Sequence, residues 1–292
     1  MLITGANGVV GSDLVKFFSK NNKVYALYRS SNKINKKLKN KNIVWIKHDL
    51  SKKIFIKIKP KIIIHCAVIH SLSKKKKISD FINTNILGLL NLIDFAKKNK
   101  IKKIIHLSSV NIYGEIKSKI LKETNFFNKP DLLGSTKILM EKLISLQDIN
   151  YLNIRLPGVV GYQINDTRRP WLCKIVNQLK LNKKVEIFNS NKKFNNIIDT
   201  YEIYKFINLI KEKKYFKNGN INFSSTKPLV LKDIIFFLQK KLNSKSKLFF
   251  KKQKKTHFII SSNKVLENYN FKISSTKKVI SRYINSFLKI KI

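Results

Sequence analysis

The stretch LITGANGVVG at residues 2–11 constrains the fold more than any other part of the chain. A short β-prone run enters it, glycines stand at positions 5, 8 and 11, and a helical period follows over 9–20. Such spacing turns the chain tightly, presents backbone N–H groups and aims the positive end of a helix at the turn, which suits a pyrophosphate. A glycine triplet alone is a weak signal. It gains weight from its place between a strand and a helix, with a second β-prone run, Val24–Tyr28, at the distance of a βαβ unit.

The alternation then continues. Strands are expected at Leu2–Ile3, Val24–Tyr28, Ile43–Ile46, Lys61–Val68, Lys103–Leu107 and Tyr151–Leu156, and helices at 9–20, 79–99 and 133–148. This is the pattern of an α/β fold, a Rossmann-type doubly wound parallel sheet with crossover helices. The longest helix, SDFINTNILGLLNLIDFAKKNK, carries a broad apolar face, and its lysines collect at the C-terminal end where they suit the helix dipole. After Pro157 the rhythm changes to short strands (184–188, 194–198, 220–224, 247–251) and helices (171–181, 200–212, 231–242, 275–288). Residues 1–160 therefore read as a nucleotide-binding domain. Residues 161–292 read mainly as a smaller α/β lobe, with some segments returning to the first domain and a cleft shared between the two.

Composition removes other classes. With 43% hydrophobic residues in 292, the chain can bury a sizeable core, and no run of eighteen apolar residues marks a membrane span. The start at Met1 has no basic and apolar leader, so a soluble cytoplasmic protein is expected. Cys66 and Cys173 are too few for a disulfide framework or a metal site. The formal charge of +45 comes almost wholly from scattered lysines, and the arginines are only Arg29, Arg155, Arg168, Arg169 and Arg282. Arginine supplies the bidentate contacts of nucleic-acid readers, so specific nucleic-acid binding is not expected. Weak, salt-sensitive attraction to polyanions is expected.

TGANGVVG resembles the T-G-x-x-G-x-x-G fingerprint of the extended short-chain dehydrogenase/reductase superfamily, in the NAD-dependent epimerase/dehydratase group that acts mostly on nucleotide sugars. Further segments match it in order: HDL at 48–50, HCAV at 65–68, NILGLLNL at 85–92, LSSVNIYG at 107–114, GSTKILMEK at 134–142 and RLPGVVG at 155–161. The resemblance implies a nicotinamide dinucleotide held by Gly5, Asn7, Gly8, Val9 and Gly11, by Asp49 and Leu50, and by Ala67, Lys137 and Pro157. At the end of the second strand, ALYRSSNK offers Arg29 and hydroxyls but no acid for a ribose 2′-OH. NADP is therefore favoured, with NAD as the alternative.

Relatives use a tyrosine as base, a serine or threonine on the substrate oxygen, and a lysine that binds the cofactor ribose and lowers the tyrosine's pKa. Ser109 matches the serine and Lys137 the lysine, but the tyrosine position is Leu133: the chain reads L-G-S-T-K where the family has Y-G-x-S-K. Three readings stay open. One is an active epimerase, dehydratase or reductase whose acid/base is displaced to Tyr113 or to a water on Ser109. Another is a catalytically silent NADP-binding protein, and the third is an enzyme of reduced activity. The resemblance places a nucleotide-sugar substrate near Ser109 and near Arg168 and Arg169 of TRRPWL, where Trp171 either stacks on a base or packs. In KKFNNIID, Asn195 and Asp199 replace the family's arginine and histidine. His65 reads as structural. A homodimer through helices 79–99 and 133–148 is a further implication, and polysaccharide synthesis is the setting it suggests.

Overall fold

A computed structural model describes residues 1–30, 38–69, 77–162, 171–252 and 257–289. Seven strands form one sheet: β1 (Leu2–Thr4), β2 (Val24–Tyr28), β3 (Ile43–Lys47), β4 (Ile63–His65), β5 (Lys103–Ser109), β6 (Asn150–Leu156) and β7 (Gly219–Asn222). Their spatial order is β7-β6-β5-β4-β1-β2-β3. β1 pairs in parallel with both β2 and β4, and the parallel ladder extends to β3 on one side and through β5 to β6 on the other. The chain thus winds outward from β1, then returns to β4 and winds the other way. Doubly wound sheets take ligands outside the carboxyl ends of the strands at this reversal.

Strands covered on both faces should be nearly continuous aliphatic runs. Ile3, Ile63, Ile64, Ile104 and Ile105 are accordingly fully buried. Helices α1 (Val9–Phe18), α2 (Gly88–Lys98) and α3 (Leu132–Ser145) flank the sheet. Leu89, Leu92 and Phe95 of α2 and Met140 and Ile144 of α3 join Leu2, Ile63 and Ile104 in one apolar cluster.

The expected helix over 79–99 follows the right path but is not uniform. A turn at Ile78–Phe81 leads into a π-helical stretch, Ile82–Leu87, and then into α2. Within that stretch Asn85 is fully buried; its Oδ1 accepts from the Ile69 N–H at 2.9 Å and its Nδ2 donates to Thr136 Oγ1 at 3.1 Å. The expected strand Lys61–Val68 shortens to β4, because Thr4 Oγ1 accepts the N–H groups of Cys66 and Ala67, each at 3.2 Å, where the chain leaves the sheet.

The chain divides into two compact units: Met1–Glu115 with Asn125–Leu156 and Tyr204–Ile221, and Ile116–Thr124 with Pro157–Ile203 and Asn222–Ile292. The second unit is built from small pairs of strands. Gly158–Val160 runs parallel to Ile197–Asp199, Val185–Phe188 parallel to Leu248–Lys251, and Lys193–Phe194 antiparallel to Leu229–Val230. Helices Trp171–Lys180, Leu231–Lys241, Asn263–Tyr269 and Thr276–Lys289 accompany them. Asn195 here is structural: buried, it donates to the carbonyls of Ser225 and Ile260 and accepts from the Ile260 N–H. Asp199 caps the helix Thr200–Ile210 through the Glu202 N–H at 2.7 Å and pairs with Arg282 at 2.7 Å. Trp171 packs edge-on against Phe194, with ring centroids 5.1 Å apart.

Candidate active site

The glycine turn has the geometry its spacing implies. Gly5 has φ of +63°, and a Cβ there would lie 2.8 Å from the Ala67 nitrogen. Gly8 donates its N–H to Gly5 O at 2.9 Å, and a Cβ on Gly11 would lie 2.2 Å from that same oxygen. The turn therefore closes only because side chains are absent at positions 5 and 11. It leads straight into α1, whose N-terminal N–H groups favour an anion.

A pocket of about 190 Å³ opens beside this turn. Among the expected cofactor residues, Gly5, Asn7 and Gly8 line it from the turn, and Arg29, Asp49, Leu50 and Ala67 line it from the ends of β2, β3 and β4. Val9 begins α1 and Gly11 lies two residues further; neither is among the lining residues. Pro157 follows β6 and begins the Pro157–Ile203 segment of the second unit. The Asn7 amide donates to Ser30 O, which ties the turn to the end of β2.

Charge is distributed unevenly around this pocket. Arg29 donates to Thr84 Oγ1 at 3.4 Å. Burial alone would raise the Asp49 carboxyl, but its pKa is lowered overall by the Ser51 N–H and hydroxyl, with help from Arg29 and His48. The carboxylate is thus held ionised with two donors already on one oxygen. Ser30, His48, Cys66 and Thr84 also line the pocket. Sequence reasoning passed over His48 and Thr84, whose signals were their places after a strand end and inside the NTNIL segment.

Ser109 ends β5 and caps the short 3-10 helix Val110–Tyr113, accepting from the Asn111 N–H at 3.2 Å. Asn111 Nδ2 donates to Asp131, which in turn caps α3 through the Gly134 N–H at 2.7 Å. A Cβ on Gly134 would lie 2.3 Å from Asn111 O, so this glycine permits the first turn of α3 to lie against the Ser109 loop. Leu133 is buried at 2% exposure, in an apolar cluster with Ile69 and Phe81. One turn on, Lys137 is equally buried; Nζ donates to Leu107 O at 2.7 Å and lies 3.0 Å from His106 Nε2. Burial lowers the Lys137 pKa to about 8, against smaller upward effects of Cys66 and Glu141.

These features can be set beside known proteins. The sequence profile of the NAD dependent epimerase/dehydratase family matches residues 1–217. The chain belongs to that family. An uncharacterized protein of Methanocaldococcus jannaschii is 27% identical over 328 residues, covering 100% of this chain and 97% of its own length. A dTDP-D-glucose 4,6-dehydratase of Dictyostelium discoideum is 27% identical over 243 residues, covering 73% of this chain and 55% of its own. Among solved structures, the UDP-glucose 4-epimerase of Thermotoga maritima with UDP-glucose aligns at TM-score 0.84 and 20% identity, covering 99% of this chain and 98% of that one. The Bordetella bronchiseptica enzyme WbmG in complex with NAD and UDP aligns at TM-score 0.84 and 15% identity, covering 99% and 94%.

In this epimerase/dehydratase family member, Tyr113, expected as a displaced acid/base, lies in a buried polar network. Tyr113 is 1% exposed, and its hydroxyl accepts from Arg155 Nη1 at 2.8 Å. Arg155 pairs with Glu141 at 2.8 Å, and Glu141 also accepts from Ser108 Oγ at 2.6 Å. The phenol is thereby joined to a buried ion-pair network that fastens β5, β6 and α3 together. Arg168 and Arg169 lie outside the described residues. Among the described residues no cluster of metal ligands occurs and no helix is long and apolar enough to cross a membrane.

Proposed function

We propose that the chain binds a nicotinamide dinucleotide beside the glycine turn and acts as an epimerase, dehydratase or reductase on a nucleotide-linked sugar. One observation carries the cofactor half of this reading: the turn at Gly5, Gly8 and Gly11 leaves a cradle that a single Cβ would fill, at the head of α1 and beside the pocket. Gly5, Asn7 and Gly8 would hold the pyrophosphate, and Asp49 and Leu50 the adenosine end. Arg29 and Ser30, with no acid at the end of β2, suit a 2′-phosphate, so NADP is the preferred form. When bound, the dinucleotide supplies a hydride acceptor. Ser109, beside the first turn of α3, would orient the sugar hydroxyl.

Support for the substrate half comes from the family. Its members among the compared proteins act on dTDP-D-glucose and UDP-glucose by name. The family's tyrosine position is taken here by Leu133, which cannot exchange a proton, so any activity needs another group for that step. The test is to incubate purified protein with NAD or NADP and a panel of UDP- and dTDP-sugars, following products by NMR and the cofactor by its near-ultraviolet absorbance. Conversion of any member supports the reading. Tight cofactor binding with no conversion across the panel would favour a catalytically silent NADP-binding protein.

The reading extends to a homodimer through the outer faces of α2 and α3. Leu90 of α2 and Leu139 of α3, with Leu87 at the end of the preceding π-helical stretch, stay about two-fifths exposed. Analytical ultracentrifugation showing a monomer at micromolar concentration would remove that part.

A further inference from the structure

One strand of the second unit has an open edge. Val185–Phe188 and Leu248–Lys251 form a two-stranded parallel sheet, with Val185 beside Leu248, Glu186 beside Phe249, Ile187 beside Phe250 and Phe188 beside Lys251. The Val185 N–H donates to Lys247 O at 3.0 Å and the Asn189 N–H to Lys251 O at 2.9 Å, so the backbone groups of Lys247, Phe249 and Lys251 serve this ladder. The alternate residues, Leu248 and Phe250, turn their N–H and C=O groups the other way. Among the described residues no strand pairs with that outer edge.

Side chains alternate with the same period. Leu248 and Phe250 share the face of Val185 and Ile187, which are buried. Lys247, Phe249 and Lys251 share the opposite face with Glu186 and Phe188. Phe188, Phe249, Phe250 and Phe236 of the helix Leu231–Lys241 are all between two-fifths and one-half exposed. The Phe236 and Phe250 rings meet edge-on with centroids 6.2 Å apart, and Lys184 Nζ lies 4.8 Å from the Phe249 centroid. Half-bare aromatic rings beside unpaired backbone make an adhesive edge.

Charge selects what can cover it. Glu186 is the carboxylate of the strand pair, and it is already engaged by Lys251 at 2.9 Å and Lys184 at 3.4 Å. Lys245, Lys247 and Lys252 are exposed and pair with no carboxylate among the described residues. A second copy of the chain laid antiparallel on this edge would bring the lysines of the two strand ends together, and each copy carries +45.

We propose that the edge of Leu248–Lys251 takes up an extended segment of another protein as an added strand, one whose side chains alternate between acidic and aliphatic. Its backbone pairs with the outward N–H and C=O groups of Leu248 and Phe250, its aliphatic side chains cover Phe250 and Phe236, and its carboxylates face Lys247 and Lys251. None of these residues lines the pocket beside the glycine turn, so the surface stands apart from the function proposed above.

The test is fluorescence anisotropy with labelled peptides on the full chain near physiological salt. A short peptide alternating glutamate and valine should bind saturably. A peptide of the same composition with all its glutamates first, or the alternating peptide with backbone N-methyl groups along one edge, should bind at least ~10-fold more weakly, and so should the alternating peptide on a folded Phe250→Ser variant. The N-methyl arm leaves the protein unaltered, so it decides even if the variant misfolds. No saturable binding, or affinity unchanged by the block order, the N-methyl groups or Phe250→Ser, would overturn the proposal and leave only the attraction of a lysine coat for polyanions. Self-association lost in Phe250→Ser, without peptide binding, would give the edge to a second copy of the chain and overturn it equally.

Discussion

Gly11→Ala offers a direct probe of the cradle, because the structure gives the clash. The new Cβ would lie 2.2 Å from Gly5 O, 2.8 Å from Gly5 C and 3.0 Å from the Ala6 Cα, all backbone atoms of the turn. No rotamer change relieves such a contact, so either the turn or the start of α1 must shift by about an ångström. Overpacking of this kind costs ~1–3 kcal/mol. Alanine recovers ~1 kcal/mol over glycine within a helix, so the net loss of fold stability should be small. Cofactor affinity has no such offset, since Gly5 O also accepts the Gly8 N–H and the displaced turn no longer aims its N–H groups at the pyrophosphate. At ~1.4 kcal/mol per tenfold, NADPH binding should weaken ~10- to 100-fold. Fluorescence titration with NADPH measures the affinity and a thermal melt confirms folding. A folded Gly11→Ala protein that binds NADPH as tightly as wild type would refute the assignment of the pyrophosphate to this turn.

Other substitutions test other parts of the account. Arg29→Ala should shift cofactor preference from NADPH towards NADH by ~10-fold, read from paired titrations; an unchanged ratio would remove Arg29 from the 2′-phosphate site. Glu141→Gln should destabilise the fold by ~3–5 kcal/mol in urea unfolding, because it leaves the buried Arg155 guanidinium without its carboxylate; a loss below ~1 kcal/mol would show the pair to be dispensable. His65 is held neutral in the fold, with its pKa lowered from 6.5 to about 3, so the unfolded chain binds more protons between those values. The stability it permits is complete above about pH 6.5 and is lost as pH falls towards 3; His65→Asn should flatten that acid limb, and an unaltered limb would assign it elsewhere. Leu133→Tyr should raise turnover if its phenol takes the proton beside Lys137, although filling the cluster of Ile69 and Phe81 costs ~1–3 kcal/mol, so folding must be checked by circular dichroism. A folded variant with wild-type turnover would show that the missing phenol does not limit the reaction.

The parallel sheet was readable in the sequence because its strands, such as KIIHLSS and NYLNIRL, are buried on both faces and separated by long amphipathic periods. The two-residue strands Ile120–Leu121 and Ile259–Ile260 were not, since pairing between segments so far apart leaves no local period. The π-helical stretch was equally hidden: INTNIL keeps the apolar spacing of a helix, and only the tertiary bonds of Asn85 reveal the altered winding. Of the candidate site, the glycine turn and the lysine stood out because their motifs are local. The buried polar contacts of Thr4, His65, His106 and Asn153 beneath it did not, because these residues meet only through strand register. A lone polar residue within each of several aliphatic runs was the available signal. Tyr113 illustrates the converse, since a motif match places a residue in sequence and says nothing of the arginine that occupies its hydroxyl.

The most direct measurement of the central claim is conversion of UDP- and dTDP-sugars by the wild-type protein with NAD or NADP saturating. The account predicts conversion of at least one of these sugars. A cofactor-bound wild type that converts none of them would contradict it.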